Sequence, residues 1–115
     1  HSFYNYIFRV KPDELTVTPS EFIAALKAEG VNAGEGGMTE PVYRYDLFQN
    51  HNFYAGTWPV RDLGLTTMDY TKVQCPVAEA YLRDRIHMPH NEALTVSYVE
   101  KVALAINTVA QRLTK

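Results

Sequence analysis

The sequence predicts an α/β fold of the α+β kind: a small sheet of short, mainly antiparallel strands with helices packed on one side. Three observations carry that expectation. A helix with a complete start and stop signal lies at residues 18–30. A second, longer helical stripe fills the last twenty residues. Between and before them stand short β-rich stretches, too brief to form a large sheet.

Taken in order, Phe3 to Val10 is the first expected strand, because it is rich in β-formers and places Tyr4, Tyr6, Phe8 and Val10 on one face. Lys11 to Val17 is polar and reads as a loop. In the helix that follows, Thr18 is the expected N-cap, Pro19 takes the first helical position and Glu21 completes a capping box. Phe22, Ile23 and Leu26 make its apolar stripe, and Gly30 supplies the stop. Val31 to Ala33 is short and fits a strand. Gly37 to Gln74 has no sustained period, yet it carries Tyr43, Tyr45, Phe48, Phe53, Tyr54, Trp58 and Tyr70. A connection of that length is uncommon in a compact domain, and so much aromatic surface calls for something to lie against. Trp58 and Tyr54 are expected to anchor this loop by packing. Pro76 to Arg83 reads as a short helix with Val77, Tyr81 and Leu82 on one side, and Arg85 to Met88 as a strand stopped by Pro89. Thr95 caps the last helix, along which Val99, Val102, Ala103, Ile106, Val109 and Leu113 recur at helical spacing. No repeat, low-complexity run or linker interrupts the chain, and its 115 residues are expected to form a single domain.

Composition narrows the function. With 46% hydrophobic and 21% charged residues the chain is of the globular kind, and a net charge of −2 gives no footprint for nucleic acid or an anionic membrane. No apolar run is long enough to span a bilayer, and no signal-peptide pattern opens the chain. The single cysteine, Cys75, forms no internal disulfide, which fits a reducing, cytoplasmic setting. The chain begins at His1 on an aromatic run, and reads as if cut at the start of a strand. A metal site built from Cys75, His87 and His90, with His51 as a fourth ligand, lacks zinc-type spacing, so none is expected. Cys75 precedes a helix start that would lower a thiol pKa, although a packing role is the simpler reading. His87 is expected to face another layer from its strand, and His90 to sit in the following turn.

Three segments together resemble one family. HSFYNYIFRV with the later ALKAEGV, then GGMTEPVYRYDLFQ, then CPVAE followed by MPHNEALT, are similar in order and spacing to the small C-terminal domain of the DegT/StrS sugar and cyclitol aminotransferases. The resemblance implies a type I aminotransferase small domain. It also implies pyridoxal phosphate (PLP) carried on a lysine of a large domain that this chain lacks. Nitrogen would pass from an amino-acid donor, glutamine or glutamate, to a keto-sugar or keto-cyclitol, in an enzyme that is a homodimer. No catalytic or cofactor-binding residue is then expected within these residues. The GEGG of Gly34 to Gly37, which in the family follows the PLP lysine, reads here as a coincidental turn, because the nearest upstream lysine, Lys27, sits inside the capped helix.

Substrate contacts implied by the resemblance fall on Tyr43, Arg44 and His90. Tyr43 supplies a ring face and a hydroxyl suited to a polyol, and stands where many relatives carry a histidine. Arg44 suits a carboxylate of the donor or a phosphate of the acceptor, or else pairs with Asp46 or Glu40 at the surface. His90 would be close to the substrate if its turn faces the large domain. The alternative reading is a stand-alone sugar-binding or dimerisation module without catalysis.

Overall fold

A computed structural model describes residues 4–115, and these divide into two compact units: residues 4–37 with 83–115, and residues 38–82. Phe3, where the first strand was expected to begin, lies outside the described residues.

The first unit is mixed helix and strand. Strand β1 (Asn5–Arg9) pairs antiparallel with β2 (Arg85–Pro89), in the register Tyr6 to Met88 and Phe8 to Ile86. Alternation puts Ile86 and Met88 on the face that meets the core, while Arg85 and His87 take the other. Helix α1 (Pro19–Ala28) begins as the sequence predicts. Thr18 and Glu21 form both halves of the capping box, with Pro19 in the first turn, and Gly30 ends the helix at φ +84°. Its Phe22, Ile23 and Leu26 are buried against Ile86, Met88 and Val109 of the long helix α5 (Val96–Leu113), together with Leu15, Val31 and Ala33. Burial along α5 is uneven: Val102, Ile106, Val109 and Leu113 join the core, whereas Val99 and Ala103 of the expected stripe are exposed. Its C-terminal end is fastened by Thr16 N–H donating to the Leu113 carbonyl at 2.8 Å and Lys115 N–H donating to that of Glu14 at 2.9 Å.

The strand expected at Val31 to Ala33 does not form. Val31 and Ala33 are buried, but the chain touches β2 only at Gly34, which exchanges two backbone hydrogen bonds with His87 at 2.9 and 2.7 Å. Gly36 then turns away at φ +81°, and the His87 ring occupies the space a Cβ would need, 2.8 Å from the Cβ position. Within GEGG, then, glycine is required by both dihedral and contact at Gly36 alone. A second fastening lies at Asp84, whose buried carboxylate accepts from Arg83 Nε at 2.7 Å and Arg9 Nη2 at 3.2 Å. These arginines hold it below the usual carboxylate range.

The second unit contains only short pieces before its last helix: a 3-10 turn at Val42–Arg44, α2 (Asp46–Gln49), α3 (Pro59–Asp62) and a 3-10 turn at Tyr70–Lys72. Helix α4 (Pro76–Asp84) follows, its last two residues counted with the first unit. The aromatic surface finds its support in itself. Phe48 meets Phe53 and Tyr70 edge-on at 5.5 and 5.1 Å, and Trp58 lies against Phe53 at 5.8 Å and Tyr70 at 5.4 Å. Trp58 is buried, as expected of an anchor. Tyr54 is not: it is 81% exposed, because Phe53 to Thr57 close a tight turn in which Tyr54 and Ala55 take positive φ and project outward. Val77 likewise departs from the expected buried side of α4, being 80% exposed; burial on that helix starts at Glu79.

Among the described residues no helix is long and apolar enough to cross a membrane.

Candidate functional site

The second unit gathers Tyr43 and Arg44 around a residue that the sequence reading passed over, Glu79. Pro41, which is buried, directs the chain into the 3-10 turn at Val42–Arg44. Gln49, one turn into α2, donates its side-chain amide to the Tyr43 carbonyl at 2.6 Å and to the Tyr70 carbonyl at 3.2 Å. The backbone at Tyr43 is thus fixed from two sides before its side chain is considered.

Pro76 starts α4, and the Glu79 N–H donates to the Cys75 carbonyl at 2.9 Å, placing the Glu79 carboxylate over the helix entry. There Glu79 Oε1 accepts from the Tyr43 hydroxyl and from the Cys75 N–H at 3.3 Å, while Oε2 pairs with Arg44 Nη2 at 3.0 Å. The Cys75 N–H is shared with the Tyr43 oxygen at 3.1 Å. The Arg44 guanidinium carbon lies 6.0 Å from the Tyr43 ring centre. Arg44 therefore pairs with Glu79 and not with Asp46 or Glu40, the partners its neighbourhood in sequence suggests. Asp46 is engaged locally by the side-chain amides of Asn50 and Asn52.

The electrostatics follow from these contacts. The Tyr43 hydrogen bond, then the Cys75 N–H and Arg44, hold the Glu79 carboxyl below its ordinary range. The same bond, with burial, raises the Tyr43 phenol, and the carboxylate raises the Arg44 guanidinium. At neutral pH the cluster is a carboxylate, a protonated phenol and a guanidinium. The Arg44 side chain is half exposed, so donors and an acceptor are presented to solvent side by side.

His90 stands elsewhere. It follows β2 in the first unit and borders an apolar cleft of about 380 Å³, with Tyr6, Met88, Tyr98, Val99 and Ile106 among its walls. The cleft is the unfilled end of that unit's core, opened where α5 leaves Val99 uncovered.

Neither histidine with a buried ring nitrogen fits a metal. His51 Nδ1 lies 2.9 Å from Arg61 Nη1; as an arginine only donates, that nitrogen accepts, and the ring rests on Trp58 at 4.4 Å. His87 is packed on Gly36. Cys75 is exposed, and among the described residues no group of three or more His, Cys, Asp or Glu side chains comes together as metal ligands do.

The lysines do not fit the lysine of a PLP site either. Lys11 and Lys72 are exposed and paired with Glu14 and Asp69, and Lys115 donates to the Asp13 carbonyl. Lys27 and Lys101 lie on the exposed faces of α1 and α5. No step through PLP is assigned to these side chains.

Glu79 was detectable in principle. A proline at a helix start followed by a glutamate within the first turn marks a carboxylate placed over free N–H groups, and CPVAE has that form. Its reach to Tyr43, 36 residues away, has no local signature. No family model matches the chain, and no curated protein matches it.

Proposed function

We propose that the chain is the small C-terminal domain of a cytoplasmic PLP-dependent aminotransferase of the DegT/StrS kind, with a type I aminotransferase small-domain fold. In that reading the amino donor is glutamine or glutamate and the acceptor a keto-sugar or keto-cyclitol. The intact enzyme is a homodimer, and PLP belongs to a large domain outside these residues. The small domain closes the cofactor cleft against water and contributes specificity contacts.

One observation supports it beyond the three similar segments themselves. Glu79 of CPVAE holds Tyr43 and Arg44 of GGMTEPVYRYDLFQ, so two of those segments, remote in sequence, build a single polar cluster. A shared cluster gives a physical reason for both motifs to occur in one chain. For His90, in the first unit, a substrate role rests on the resemblance alone.

The test is made on the product of the complete open reading frame. Borohydride reduction followed by peptide mapping is expected to find PLP fixed to a lysine outside these 115 residues. Amino transfer from glutamine or glutamate to a keto-cyclitol or keto-sugar should accompany it. A full-length product with no reducible PLP adduct overturns the proposal.

A further inference from the structure

We infer that residues 34–37, the GEGG segment, form an acid-released latch: a proton taken up by His87 unseats its ring from Gly36 and frees the segment from β2 while the core of the first unit stays folded.

The segment is fastened at few points. Gly34 exchanges two backbone hydrogen bonds with His87, at 2.9 and 2.7 Å, and Arg85 Nε donates to the Glu35 carbonyl at 3.2 Å. At the surface the Ser20 hydroxyl donates to the Glu35 carboxylate at 2.6 Å. Packing against the glycines is concentrated at one position. Nothing lies within 4 Å of the Cβ positions of Gly34 and Gly37, whereas the His87 ring meets that of Gly36 at 2.8 Å. His87 is therefore both the backbone partner of the segment and the side chain seated on it.

That seat suits only a neutral ring. Nε2 of His87 is buried and has no hydrogen-bond partner among the described residues. An imidazolium donates from both nitrogens, and its charge calls for water or a carboxylate. The charged neighbours offer neither. Arg85, two residues away on the same face of β2, is itself a buried cation. Across the ladder, Ile7 stands opposite His87, and Arg9 stands opposite Arg85 with its guanidinium on Asp84. Glu35, the carboxylate of the segment, is held by Ser20. Burial and Arg85 accordingly lower the His87 pKa from its ordinary 6.5. Hydrating the cation requires the ring and Gly36 to part. The ladder with β1 fixes the strand, so the lightly packed segment is the part that yields. Gly37 leads directly to Met38, the first residue of the second unit, so the latch sets how firmly the chain entering that unit is held.

The experiment follows amide hydrogen exchange of the full-length protein by mass spectrometry, from about pH 7.5 to 5.5 and at several low urea concentrations. Protection is corrected for the intrinsic pH dependence of exchange. For the Gly34 and His87 amides it is expected to fall about tenfold per pH unit between 6.5 and the lowered native value, the effect of one proton bound only in the open form. That fall should hardly depend on urea, because releasing so short a segment exposes little surface. The Leu26 amide, in the middle of α1, should show the steep urea dependence of global unfolding. His87→Gln should remove the pH dependence at Gly34. A Gly34 amide that responds to urea as steeply as Leu26 overturns the inference, since the proton would then act only through unfolding of the whole unit. So does protection at Gly34 that is indifferent to pH, or a slope that persists in folded His87→Gln. Should that variant fail to fold, the urea dependence of the wild type decides by itself.

Discussion

The two units reach order by different physics. In the first, burial follows periodicity: α1 and α5 each present a stripe, β2 alternates, and Leu26, Ile86 and Val109 are fully buried where the three meet. In the second, α2 and α3 are four residues each, far too short to persist alone, and order comes from ring contacts and from side chains that seize particular backbone groups. Many interchangeable contacts maintain one unit; a few specific ones maintain the other. That difference sets how each should respond to change.

The largest effect is expected at Leu26. Leu26→Ala removes a fully buried side chain and should cost about 2–5 kcal/mol. Trp58 is the only tryptophan and reports on the second unit, while far-UV circular dichroism reports mainly on α1 and α5. In denaturant titration the dichroism midpoint should fall much further than the fluorescence midpoint. Equal shifts would mean that the units unfold as one, and the contrast between them would lose its energetic content.

Next in size is a matched pair of glycines. Gly30 and Gly36 both have positive φ, but open space surrounds the Cβ position of Gly30, whereas the His87 ring crowds that of Gly36. Gly30→Ala should cost about 1 kcal/mol for the dihedral, and Gly36→Ala roughly 2–3 kcal/mol through the added clash. Combining Gly36→Ala with His87→Ala should cancel most of the difference between them. If it does not, the ring contact is not what makes Gly36 necessary.

Much of the first unit was legible in the sequence because its signals are local. Thr18, Pro19, Glu21 and Gly30 declare α1 within thirteen residues, and the stripe from Val102 to Leu113 declares the part of α5 that is buried. What escaped was set by distant partners. Val31 to Ala33 has strand composition, yet only Gly34 reaches β2 before Gly36 turns the chain away. Asp84 looks like an ordinary helix-end residue until Arg9, 75 positions earlier, is brought to it. In the second unit nearly everything escaped for the same reason. Tyr54 and Trp58 are alike in composition, but the turn at Phe53 to Thr57 sends one outward while ring packing buries the other. The cluster was half visible: Tyr43 and Arg44 stood out by residue type, whereas Glu79 entered only once α4 was folded against them.

Acid separates the units further, by a smaller amount. Burial, aided by Arg85, pushes the His87 pKa below its ordinary 6.5. The unfolded chain therefore binds a proton near 6.5 while the folded chain does not, and stability of the first unit is lost as pH falls from 6.5 toward the depressed value. Asp84 acts in a second, lower window. Its carboxyl is held down by Arg83 and Arg9, so its contribution is present above the ordinary 3.8 and lost as pH falls through the lowered value. His87→Gln should flatten the upper window and Asp84→Asn the lower. Dichroism midpoints that slope equally in wild type and His87→Gln between about pH 7.5 and 5.5 would assign the upper window to another group.

The smallest effect tests the second unit at its centre. Tyr43→Phe deletes one oxygen, but that oxygen both donates to Glu79 and accepts from the Cys75 N–H. The Tyr43 hydrogen bond is the main reason the Glu79 carboxyl sits below its ordinary 4.5, so the variant should raise the Glu79 pKa toward 4.5, read by carboxyl NMR. In wild type, the Glu79 contribution to the second unit is present above 4.5 and lost as pH falls through the lowered value; the variant should show less of that dependence in Trp58 fluorescence. The dichroism midpoint should not move, because the packed helices of the first unit owe nothing to this hydroxyl. A Glu79 titration unchanged in Tyr43→Phe would mean that Arg44 and the Cys75 N–H hold the carboxylate by themselves. Tyr43 would then be a ring face only, and the cluster a two-membered ion pair at the start of α4.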